Sequence, residues 1–121
     1  MAVKKHGFCF SDFVSGKAVH DHNVPCAVCQ SFERSRVLMI PAKNHCPSGW
    51  NREYNGYLVA DHYLHASSKM FECLDHDPET DQAGYRNEDG ALMYRTDGSC
   101  GSLPCPPYQE GKALTCVVCT K

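Results

Sequence analysis

The chain has 121 residues and a formal net charge of -2, from 12 basic and 14 acidic side chains. Leu, Ile, Val and Phe make 22 residues, about 18% of the chain, below the roughly 20% floor of an ordinary globular domain. The small net charge excludes a disordered polyelectrolyte and a broad cationic surface for a phosphate backbone. No apolar run reaches the about 18 residues of a membrane span.

In chain order, the first feature is Met1-Ala2-Val3-Lys4-Lys5-His6. No apolar signal core follows the lysines, because Ser11 and Asp12 interrupt Phe8 to Val14. The expectation is a mature chain, its signal peptide removed or never cloned. Val37-Leu38-Met39-Ile40 is a compact strand signal ended by Pro41. Arg52-Glu53-Tyr54, Asn55-Gly56 and Tyr57-Leu58-Val59 predict a hairpin, since Asn-Gly suits the positive φ angles of a type I′ turn. Met70 to Leu74 alternates toward Cys73. Ala91 to Tyr94 follows an Asp89-Gly90 turn pair, and Leu114 to Cys119 is a β-branched strand. Pro104, Pro106 and Pro107 predict an extended, exposed loop. No long window has helical periodicity. The fold class is therefore mainly β: a small disulfide-stapled single domain, 1–121, with short antiparallel strands and long loops.

Cysteine compensates for the thin core. Nine are present: Cys9, Cys26, Cys29, Cys46, Cys73, Cys100, Cys105, Cys116 and Cys119. Many cross-links in a small domain point outside the cell. Eight of them follow an ordered layout, C-x2-C, two single cysteines, C-x4-C, C-x2-C. The ninth, Cys9, stands apart near a terminus and is the candidate for an interchain disulfide. The preferred pairing joins Cys46 to Cys73, Cys100 to Cys105, and the first C-x2-C to the last. Zinc fits less well, because 86 residues separate Cys29 from Cys116, against about 15–20 in a zinc ribbon.

The acidic stretch 75–89 supplies Asp75, Asp77, Glu79, Asn87, Glu88 and Asp89, all oxygen donors of the kind calcium takes. It lacks the glycine and the closing glutamate of an EF-hand, and by itself favours a solvated loop. His20-Asp21-His22 and the pair His62 and His65 lack a third metal ligand at recognisable spacing. Among the aromatics, Trp50 and Tyr57 suit the core, whereas Tyr63 lies in a polar loop and suits a surface role. There is no G-x-S-x-G and no H-E-x-x-H, so an enzyme is not expected.

Several ordered motifs are distinctive: Pro25-Cys26-Ala27-Val28-Cys29, Cys46-Pro47-Ser48-Gly49-Trp50, Glu53-Tyr54-Asn55-Gly56-Tyr57-Leu58, Glu72-Cys73-Leu74-Asp75 and Leu114-Thr115-Cys116-Val117-Val118-Cys119. From about residue 24 to 121 the chain resembles the cysteine-rich C-terminal domain of cnidarian, sponge and mollusc extracellular proteins, many labelled short-chain-collagen-like. Residues 1–23 form an extension outside the resemblance. Likeness to a galactose-specific sea-anemone lectin implies a calcium-dependent site for terminal β-galactose and a disulfide-linked homodimer. On that implication, Ca2+ is assigned to the acidic stretch. The sugar is assigned to His62, Tyr63, His65 and Arg86, drawn from the 61–69 loop and the acidic stretch. The competing expectation is a structural matrix module with no sugar ligand.

Overall fold

The computed structural model describes residues 8–10, 22–66, 70–81, 83, 84, 86 and 91–121. Six strands are present among them: β1 (Phe8–Phe10), β2 (Val37–Pro41), β3 (Asn51–Ala60), β4 (Glu72–Asp75), β5 (Ala91–Arg95) and β6 (Thr115–Thr120), with no helix. The protein is mainly β, as its alternation and turn residues predict. The sheet order is β1-β5-β3-β6-β2, with β4 also paired to β3. Every pairing is antiparallel except β1 with β5.

β3 is the organising strand because both of its edges are used. One edge pairs with β6 from Asn51 to Tyr57 and then with β5 at Val59 and Ala60. The handover falls at Leu58, whose N–H donates to the Leu114 carbonyl and whose carbonyl accepts the Thr96 N–H, each at 2.9 Å. The other edge pairs with β4 from Gly56 to Val59.

The expected hairpin at Asn55-Gly56 is not formed. Both residues continue β3, opposite Val117 and Cys116. A turn signal is local, and pairing along two edges outweighs it. Gly56 serves a different need. A Cβ there would lie 1.6 Å from the Leu74 carbonyl oxygen. Strands flanking a central strand normally lie about 9.6 Å apart, twice the inter-strand spacing. Cys73 and Cys116 flank β3, yet their Cα atoms are 5.7 Å apart. The sheet is therefore creased at Gly56, and the disulfide between these two cysteines staples the crease.

A bulge between Arg52 and Tyr54 shifts the β3–β6 register. The residue between them, Glu53, accepts the Thr120 hydroxyl and pairs with Arg34 at 3.2 Å. Bulges re-aim side chains in this way. Among the described residues the apolar core is small: Leu58, Val59, Leu74 and Met93 are buried, and Val24 and Tyr57 pack against the cluster of the last three. On β6, Cys116, Val117 and Cys119 are fully enclosed.

The disulfides are Cys46–Cys119, Cys73–Cys116 and Cys100–Cys105. The last matches expectation. Cys46 to Cys73 is corrected, as is the junction of the first C-x2-C with the last, and Cys26 and Cys29 are free, exposed thiols. The reason lies in β6. Residues three apart on a strand point to opposite faces, so Cys116 and Cys119 do not present themselves together to one partner motif. Each instead takes a partner from its own side, Cys73 of β4 or Cys46 of the 42–50 loop. The Pro104, Pro106 and Pro107 loop is exposed as expected but turned rather than extended, with the Tyr108 N–H donating to the Pro104 carbonyl at 3.2 Å.

Candidate functional site

β3 ends at Ala60, opposite Tyr94 of β5. The chain then turns tightly, with the His65 N–H donating to the His62 carbonyl at 3.0 Å. Asp61 is the pivot of this turn. Its side chain is only 8% exposed, and its Oδ1 accepts the His62 N–H at 2.7 Å and His65 Nδ1 at 2.9 Å. An ionised carboxylate is acceptor-only, so it places a proton on Nδ1 of His65. The Leu64 N–H donates to His62 Nδ1 at 3.3 Å. When His62 is neutral, its proton therefore sits on Nε2.

The rings gather around His62. Its centroid lies 4.6 Å from Tyr63, 5.1 Å from His65 and 5.0 Å from Tyr94, and His65 lies 5.8 Å from Tyr94. Tilted and edge-on contacts at these separations are the favourable arrangements for aromatic rings. Tyr63 is 79% exposed. The cluster thus offers aromatic and imidazole surface to solvent on a buried, hydrogen-bonded base.

Of the residues expected to bind sugar, His62, Tyr63 and His65 are brought together. Arg86 is exposed, and no described contact joins it to the rings. Asp61 and Tyr94 belong to the cluster and were not anticipated. Tyr94 is far away in sequence and arrives only through the β3–β5 register. Asp61 had a faint signal, a carboxylate four residues before His65.

Asp75, the last residue of β4, and Asp77 and Glu79 in the loop that follows are exposed. Asp75 Oδ1 accepts the Asp77 N–H at 2.9 Å and lies 3.1 Å from His76 Nδ1. Asn87, Glu88 and Asp89 lie outside the described residues. Carboxylate oxygens suit calcium in kind, but among the described residues no three His, Cys, Asp or Glu side chains gather as a metal site. The backbone of Cys9 lies opposite Leu92, and its thiol is outside the described residues. Tyr54 donates its hydroxyl to the Cys73 carbonyl at 3.0 Å. Burial raises its pKa above the ordinary phenol value, and the nearby carboxylates of Asp75 and Glu72 add to the rise.

No protein-family model matches the chain, and no solved structure matches it. Among the described residues no helix is long and apolar enough to cross a membrane.

Proposed function

We propose that the protein is a secreted, calcium-dependent lectin for terminal β-galactose, made bivalent by a disulfide through Cys9. The cluster of His62, Tyr63, His65 and Tyr94 on Asp61 is the observation that carries this reading. Galactose has one apolar ring face, and an exposed aromatic such as Tyr63 covers such a face while polar groups fix its hydroxyls. His62 supplies its Nε2–H as a donor beside it, and neutral His65, whose Nδ1 proton goes to Asp61, supplies Nε2 as an acceptor. Arg86 and the acidic set Asp75, Asp77, Glu79, Asn87, Glu88 and Asp89 are assigned to the polar side. Calcium, when bound, supplies coordination to two vicinal sugar hydroxyls. Extracellular calcium sites are weak, at about 10⁻⁴ to 10⁻³ M, and two sites on one covalent dimer gain avidity on a glycan-coated surface. Three disulfides accord with an oxidising compartment.

A structural matrix module without a sugar ligand is the second reading, favoured by the exposed Val28, Phe32, Val37 and Leu38. Retention on immobilised lactose, with and without EDTA, separates the two. The lectin is retained with calcium and released by EDTA, and Tyr63→Ala weakens retention by about tenfold, the loss of one good stacking contact. Passage straight through the column with calcium present sinks the lectin reading. Non-reducing electrophoresis checks the dimer: Cys9→Ser should leave only monomer, and a surviving disulfide dimer overturns the role of Cys9.

A further inference from the structure

Cys26 and Cys29 are exposed thiols in a chain whose other six cysteines with described side chains are all paired. Their surroundings differ. The Cys26 thiol points back to its own chain and donates to the Val24 carbonyl at 3.6 Å. Cys29 lines an open groove of about 460 Å³ together with Val28, Ser31, Arg34 and Val37. That volume lies within the usual range for small-molecule sites. Two donors of these lining residues, the Ser31 hydroxyl and Nε of Arg34, are shielded from solvent and have no hydrogen-bond partner among the described residues. Shielded polar groups are normally paired, and an unpaired one calls for an explanation. The terminal nitrogen of Arg34 is held by Glu53 at 3.2 Å, which fixes the guanidinium beside the groove.

We propose that this groove is a thiol–disulfide exchange site for a small carboxylate-bearing disulfide, of the oxidised glutathione or cystine class. The partly exposed Arg34 side chain receives the carboxylate, a charge-assisted pairing, and so holds the disulfide against Cys29. The Cys29 thiolate attacks one sulfur. One S–S bond forms between Cys29 and the small thiol, and the other half leaves as a thiolate that takes up a proton. Cys26 then loses its proton and attacks the Cys29 sulfur, releasing the second small thiol. Two protein thiols are oxidised to a Cys26–Cys29 disulfide, and one small disulfide is reduced to two thiols.

The test uses Cys9→Ser/Cys26→Ser protein with its three disulfides intact, so that the mixed disulfide is trapped on Cys29 and read by intact mass and peptide mapping. Oxidised glutathione should modify Cys29 about tenfold faster than bis(2-hydroxyethyl) disulfide, which carries no carboxylate, the factor expected of one charge-assisted hydrogen bond. Arg34→Gln should reduce that preference several-fold, and unfolding in denaturant without reductant should abolish it. With Cys26 restored, the adduct should be transient and give way to the Cys26–Cys29 disulfide. Equal rates for the two reagents in the folded protein, or a preference that survives unfolding, overturn carboxylate recognition. A stable Cys29 adduct with Cys26 present overturns the resolving step.

Discussion

Gly56 has no room for a side chain, because the Leu74 carbonyl occupies the place of its Cβ at 1.6 Å. The obstacle is backbone and does not swing aside. Gly56→Ala should destabilise the domain by about 2–3 kcal/mol, read as a lower denaturant midpoint. A midpoint unchanged from the parent would mean that the crease is not rigid. Tyr54 tests the same region from its other side. Its native pKa is raised by burial and by Asp75 and Glu72, so the native state holds the phenol proton longer than the unfolded chain. That contribution is fully present below the unfolded value of about 10 and is lost as pH rises from there through the raised native value. Tyr54→Phe should therefore lose less stability than the parent between neutral and strongly alkaline pH, as followed by denaturant titration. Identical alkaline losses would count against burial of the hydroxyl.

At the scale of elements, β6 carries the cross-links that matter most. It lies between β2 and β3, and its two cysteines tie it to partners 43 and 73 residues away. In the chain-entropy model each of those bonds is worth about 4 kcal/mol, whereas the bond across 5 residues at Cys100–Cys105 is worth about 2 kcal/mol. Replacing Cys73 and Cys116 together by alanine should thus cost about twice as much stability as replacing Cys100 and Cys105 by serine. Matching losses from the two double variants would mean that loop length does not set their worth. Local sequence, through an apolar run, a turn pair and β-branched residues, locates Val37–Ile40, Ala91–Tyr94 and Leu114–Cys119 as strands. It also puts a turn at Asn55-Gly56, where the chain continues as β3. Local preference there is one small term set against hydrogen bonds to β4 and β6, and only the assembled sheet contains those partners.

At the scale of the whole molecule, the buried apolar side chains among the described residues are few, Leu58, Val59, Leu74, Met93 and Val117 beside Cys116 and Cys119, and the domain depends on its covalent staples. Reduction of all three disulfides should unfold the domain at 25 °C, seen as collapse of the strand signal in circular dichroism. A fully reduced protein that keeps that signal would show that the core suffices. Composition already implies this dependence, because the shortage of apolar side chains and the surplus of cysteine are properties of the chain itself. Local sequence also places His62, Tyr63 and His65 together, since residues this close in a turn need no distant partner to be neighbours. The tertiary structure alone supplies Tyr94, through the β3–β5 register, and chooses which cysteines bond. Eight cysteines permit 105 pairings, and spacing does not choose among them. The choice comes from β6 pointing Cys116 and Cys119 to opposite faces, which leaves Cys26 and Cys29 unpaired.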